Sequence, residues 1–302
     1  MHETEKHYGL NIRYTDKLTD RVELLHNESE QYIMKRKPNA AKADKEAQLL
    51  YFLQSKDLPV LTPIPTRNNS YGFYHNDSYY ALYPYMNGTS LSASEYLQQP
   101  AKIQTVAYML ANLHDILLDL PFSEQFPERN IVRTLFTNVV PFLKTQGTSP
   151  DIVRILLEVE EEMRTLFLQI PLQVVQLNPH PTNILFRDNR LVAMLDFEKA
   201  EQSTRLFDLC YFSTSLLDEV FSDPSKLEDW LKSIKSFFTA YHRKRKISRD
   251  ERKAIWYIML AINATFIAFY SHDENLREKN RAKFLWIYEQ RTEIDRFLYL
   301  RG

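Results

Sequence analysis

The chain has 302 residues, 44% of them apolar, which is enough to bury a large core in one two-lobed or two-domain protein. Lys and Arg number 38 against 39 Asp and Glu, so no global field draws the protein to nucleic acid or anionic membrane, and neither is expected as a partner. One cysteine, Cys210, excludes an internal disulfide, and the charged N-terminus "MHETEKHYGL" has no apolar signal core; both point to the cytoplasm.

In chain order, Ile12 to Lys37 reads as short β-prone runs broken by Asp, Asn and Ser, with a hairpin turn at "HNESE". "AAKADKEAQLLYFLQSKDL" has Ala47, Leu50 and Leu53 at helical spacing and stops before "PVLTPIP". "YGFYHNDSYYALYPYM" reads as a second hairpin turning at His75 to Ser78. Beyond "MNGTS" helical patterns dominate, over Lys102–Leu118, Asp151–Ile170, Lys226–Tyr241, Ser248–Tyr270 and Arg281–Leu298. The exception is "VVQLNPHPTNILFRDNRLVAMLDF", Val174 to Phe197, whose two apolar runs suit a buried hairpin. The expected class is α+β: a sheet-rich N-terminal part, 1–86, carrying one helix, and a mainly helical part, 87–302. The segment Ile255–Tyr270 falls short of the roughly 20 apolar residues that cross a bilayer, and Ser248 with Glu251 forms a capping box, so it reads as a core helix and no membrane span is expected.

The ordered set "YIMK", "KEAQLL", "LYPYMNG", "MLANLHDIL", "NPHPTNILF", "LVAMLDFEKA" and "RLFDLC" resembles the aminoglycoside phosphotransferase and choline kinase families, which share the protein-kinase-like two-lobed fold. The resemblance covers nearly the whole chain. It implies ATP and Mg²⁺ as cofactors. It assigns Lys35 to the α/β-phosphates, Glu46 to an ion pair with Lys35, and Tyr85 and Met86 to the connector that borders the nucleotide. Asn183 and Asp196 would be oxygen ligands to Mg²⁺, on a cleft wall facing Lys35, and Asp208 matches the family's Asp-Leu-Ala segment.

The sequence departs from the family at the catalytic loop. The His-Gly-Asp triplet aligns with Gln176, Leu177 and Asn178, and Asn178 lies five positions before Asn183, as the base does before the metal ligand in a kinase-type loop. An amide can orient a substrate hydroxyl but cannot take its proton at neutral pH. The turn "DKLTDRV" lacks phosphate-binding glycines and carries Asp20, and Leu177 replaces a glycine.

His180 aligns with the family's second loop histidine, either as a structural hydrogen-bonding residue or as a substitute base; Glu198 is another candidate base. Two main readings follow. One is a phosphotransferase-like protein, inactive or slow, that keeps Mg-ATP binding and serves a protein partner. The other is an active ATP-dependent phosphotransferase acting on a small-molecule hydroxyl, of aminoglycoside, choline or homoserine-like type, through a substitute base. A scaffold protein without ATP binding is a third. C-terminal aromatics such as Tyr211, Trp230 and Tyr270 suit either a core or an ammonium cage, and the acceptor is not legible.

Overall fold

The computed structural model describes residues 2–297. In chain order these are α1 (His2–Tyr8), β1 (Tyr14–Thr19), β2 (Val22–His26), β3 (Gln31–Lys37), α2 (Ala40–Gln54), β4 (Phe73–His75) and β5 (Ser78–Pro84). Next come α3 (Ala93–Gln98), α4 (Pro100–Leu118), α5 (Ile131–Thr134), α6 (Val140–Gln146), α7 (Pro150–Glu158), α8 (Glu160–Phe167) and β6 (Gln173–Val175). The chain continues with β7 (Ile184–Arg187), β8 (Arg190–Met194), β9 (Glu201–Ser203), α9 (Leu206–Val220), α10 (Leu227–Lys244), α11 (Arg249–Phe269), α12 (Glu274–Glu289) and α13 (Arg291–Phe297). The α+β class is as expected, with a small antiparallel sheet before a larger helical part.

Two compact units form: residues through Ser90 with Asn183–Lys199, and Leu91–Thr182 with Ala200 onward. In the first unit the sheet order is β1-β2-β3-β5-β4, every neighbour antiparallel. The β4–β5 turn puts Asn76 and Asp77 at positive φ, the conformation a two-residue hairpin needs and short polar side chains tolerate. Side chains alternate across β3. Tyr32 and Met34 join Ile12, Leu25, Phe73 and Leu82 in a core on one face, which leaves Ile33, Lys35 and Lys37 to the other. Asn39 caps α2 by accepting from the Lys42 N–H at 2.9 Å, and the helix buries Ala43, Glu46, Ala47, Leu50 and Leu53.

The 174–197 stretch does not fold back on itself as one hairpin. β6 pairs with β9, while β7 pairs with β8 through a turn with Asp188 and Asn189 at positive φ. Both apolar runs do bury, but each finds its partner elsewhere, which apolar pattern alone does not specify. The β7–β8 hairpin joins the first unit because the connector crosses it: Thr89 and Phe186 exchange backbone bonds of 2.9 and 2.8 Å. The approach is close at Gly88, where a Cβ would lie 3.1 Å from that of Leu185.

In the second unit the capping box of α11 is present, and Glu251 serves twice. Its carboxylate accepts from the Ser248 N–H and takes Arg205 in a bidentate pair at 2.7 and 2.8 Å. By length and composition α11 could cross a membrane, but 67% of its most apolar stretch is buried inside the protein. Two helices read as continuous are broken. Asp151–Ile170 divides at Val159 and the last helix, which begins at Glu274 rather than Arg281, divides at Gln290; at both residues ψ swings to near zero while the apolar period runs on. The end of that expected helix, Leu298, lies outside the described residues.

Candidate active site

The opposite face of the five-stranded sheet, α2 and the 183–199 segment enclose a cavity of about 520 Å³ within the first unit. Lys35, Glu46, Asn183 and Asp196 all line it. Lys35 Nζ donates to Asp196 Oδ1. Burial alone would raise the Asp196 pKa, but the Lys35 ammonium and its hydrogen bond outweigh that, with Lys37 and Lys199 adding to them, and hold the carboxyl below its ordinary range. Likewise burial would depress Lys35, yet Asp196, Glu46 and Glu198 raise it. Asp196 is therefore an ionised oxygen donor at neutral pH. Its φ of 63° is a left-handed conformation that an aspartate, like Asn76 and Asp77, tolerates. The Leu195 N–H donates to the Asn183 carbonyl at 2.8 Å, which ties the two expected metal ligands into one backbone frame.

The expected Lys35–Glu46 pair does not form. Glu46 is held by Lys37, whose ammonium also lies 3.6 Å from Glu198 and 5.3 Å from the centre of the Tyr83 ring. Lys35 and Lys37, two residues apart on a strand, face the same way. Both line the cavity, but the Lys37 side chain is 1% exposed and that of Lys35 23%, so Lys37 is the interior one of the two. Tyr85 and Met86 do not line the cavity. Tyr85 is 41% exposed on a different surface and its N–H donates to Gln31, extending the strand pairing, while Tyr83 supplies the connector-side wall.

Sequence reasoning also missed Arg21. In the glycine-free β1–β2 turn, Asp20 is drawn off by Lys17 at 2.7 Å, while Arg21 lines the cavity 3.9 Å from Glu198. Arg21, Lys35, Lys37 and Lys199 thus stand against Glu46, Asp196 and Glu198, a lining with a small cationic excess. Glu198, the candidate base, is placed between two cations.

The loop 176–182 lies in the second unit and is held from behind. Asp208 accepts from the backbone N–H groups of Gln176 at 3.0 Å and Leu177 at 2.8 Å, and pairs with His114 Nε2 at 3.1 Å; Tyr241 Oη lies 2.7 Å from His114 Nδ1. Leu177 is forced to φ 60°, where its side chain costs about 1–2 kcal/mol that a glycine would avoid. Asn178 is 7% exposed, and its carbonyl accepts from the His180 N–H at 2.7 Å. His180 Nδ1 accepts from the Thr182 N–H at 3.2 Å, the structural role weighed above, and its ring packs edge-on to Tyr211.

A model of the phosphotransferase enzyme family matches residues 15–225. The chain belongs to the phosphotransferase enzyme family. Among curated proteins, no sequence matches this phosphotransferase family member. Its fold is similar to that of an aminoglycoside phosphotransferase from Alicyclobacillus acidocaldarius, at 17% identity and TM-score 0.71, covering 96% of this chain and 92% of that one. It is similar to an amicoumacin kinase in complex with AMP-PNP and Ca²⁺, at 12% identity and TM-score 0.72, covering 99% and 94%. It is also similar to a microcompartment-associated aminopropanol kinase, at 14% identity and TM-score 0.70, covering 98% and 96%.

The histidine behind the loop of this family member makes stability pH-dependent. Burial holds His114 below its ordinary 6.5, against the pull of Asp208, and burial lowers His242 as well. Below pH 6.5 the unfolded chain therefore binds protons that the folded one refuses, so stability falls as pH falls from 6.5 toward the folded-state values. Thermal melts across that range should show a declining melting temperature, with a shallower slope in His114→Gln. A slope the same in both would show that His114 is not a source of the effect.

Proposed function

We propose that this chain binds a magnesium nucleotide in the first-unit cavity and transfers phosphate to a small-molecule hydroxyl only slowly. The observation that carries the reading is that Lys35, Asn183 and Asp196 line one cavity. The donor set suits the ion: Asn183 and ionised Asp196 offer hard oxygens, the ligands Mg²⁺ prefers, and Mg²⁺ retains waters and accepts phosphate oxygens for the rest. Two protein oxygens leave most of an octahedral Mg²⁺ shell open, and water and nucleotide phosphate oxygens would supply the remaining ligands. Magnesium, when bound, supplies charge neutralisation at the phosphate oxygens. Lys35 supplies a cation to the same phosphates, and Arg21 takes the place of the missing glycine amides.

Asn178 sets the rate. It stands where the family has its acid-base carboxylate, so it can accept a hydrogen bond from the acceptor hydroxyl and orient it without removing the proton. Glu198 lies among cations, 3.6 Å from Lys37 and 3.9 Å from Arg21, and His180 Nδ1 accepts from the Thr182 N–H, which argues against either as a replacement base.

Calorimetric titration tests the binding half. The wild type should bind ATP in a Mg²⁺-dependent manner, and Asp196→Ala should abolish the metal-dependent part. Equal affinity in the two proteins, or no binding by either, would overturn the reading.

A further inference from the structure

The second unit holds its own cavity of about 170 Å³, walled by α9, α11 and α12. Helical spacing brings polar groups to it: Thr214 and Asp218 from α9, Asn263 from α11, and Asn280 and Lys283 from α12. His180, from the loop that carries Asn178, completes the lining.

The interior is unusually polar for a junction of three helices. Asn263 is 1% exposed, and Asn280 and Lys283 are each 3% exposed. Both amide groups donate a hydrogen bond to their own helix, Asn263 to the Met259 carbonyl at 2.9 Å and Asn280 to that of Leu276 at 2.7 Å. Their oxygens remain as acceptors. Among the described residues, Asp218 is the one carboxylate in the lining, and two ammonium groups share it: Lys283, and Lys279 at 3.3 Å. Burial outweighs the help of Asp218 and holds Lys283 below its ordinary value, so the protein compensates that charge incompletely. A buried cation in this state is a place for a second anion.

We propose that this cavity takes a small hydroxyl-bearing carboxylate, a hydroxy acid or hydroxy amino acid, with its carboxylate on Lys283 and its other polar groups on the Asn263 and Asn280 oxygens. A polycationic aminoglycoside would meet Lys283 with a single shared carboxylate to balance it, in a space far below that of a typical drug-sized site, about 300 Å³ or more. The rings of Tyr211, Phe266 and Tyr270 do not make a choline cage, because the buried ammonium in the same wall repels a quaternary cation. On the phosphotransferase reading above, on which its role as acceptor rests, the ligand's hydroxyl oxygen forms the new bond to the γ-phosphorus of ATP. The bond to the β,γ-bridging oxygen breaks, ADP leaves with the electron pair, and the hydroxyl proton passes to solvent.

The test is calorimetry on the full chain without nucleotide, using glycerate, 4-hydroxybutyrate and L-homoserine, with the neutral glycerol and 1,4-butanediol, then choline and kanamycin. At least one carboxylate should bind with a Kd of about 1 mM or tighter, and its neutral counterpart about tenfold or more weaker. Lys283→Met should weaken the carboxylate by about tenfold or more, and Lys283→Arg by less. If Lys283→Met does not fold, the wild-type contrast between charged and neutral ligands decides alone. No carboxylate binding up to about 10 mM, or binding of choline or kanamycin in preference, would overturn the assignment. The two readings fail separately. Carboxylate binding without phosphate transfer under Mg-ATP would end the phosphotransferase reading and leave the anion site standing, whereas transfer to choline or kanamycin would do the reverse.

Discussion

Asn178→Asp should raise the rate of phosphoryl transfer by about 10²- to 10⁴-fold, the range a positioned general base contributes. Asn and Asp are nearly isosteric, so the change adds a base without repacking, and the five-residue step to Asn183 matches that between base and metal ligand in a kinase-type loop. The site is buried, with Asn178 at 7% exposure, so the new carboxyl titrates higher than a surface aspartate. The gain should accordingly shrink as pH falls through the carboxylate range, while the wild type lacks that limb. Because the phosphoryl transition state is loose and the proton can leave late, the lower end of the range is the more natural outcome. The measurement is steady-state turnover of Mg-ATP with an accepted alcohol, across pH. A wild type that already turns over at about 1 to 100 per second, and is slowed by the substitution, would show that another group serves as base.

The second large effect is on stability, and it separates two lysines that lie two residues apart on one strand face. Lys37→Met should destabilise the first unit by about 3–5 kcal/mol, because it leaves Glu46 without its partner in the interior and removes a cation from Glu198. Lys35 does not substitute, since it is engaged with Asp196. A drop in melting temperature on the order of 10 °C is expected. Adding Glu46→Leu should recover much of it, because removing both charges avoids the unpaired carboxylate. Lys35→Met should do the opposite: a smaller loss of stability, since its side chain keeps 23% exposure, and a larger loss of nucleotide affinity. Thermal melts and ATP titrations of the two single variants decide the matter, and the assignment is wrong if Lys35→Met proves the more destabilising.

Much of this was written in local sequence. Strand alternation, the turn at Asn76–Asp77 and the Ser248–Glu251 capping box are fixed by neighbouring residues, so pattern and turn chemistry suffice to find them. The order of motifs located Lys35, Glu46, Asn183 and Asp196, and the structure brings those four to one cavity. Period-2 alternation also places Lys35 and Lys37 on one face, but it cannot rank them. Which lysine meets Glu46 depends on where α2 settles against the sheet, and that is a packing outcome.

The same limit explains the rest. Two apolar runs do not say which strand each will pair with, and β6 found β9 while β8 found β7. An arginine in a turn does not announce that it lines a cavity, as Arg21 does. The shared charge of Asp218, Lys279 and Lys283 spans two helices separated by more than fifty residues of chain, so no window of sequence contains it. The sequence alone determined which residue types reach the first-unit cavity from β3, α2 and the 183–196 segment. Tertiary packing decided the partners of the buried charges, because desolvated ions are set by whatever the fold brings within a few ångströms of them.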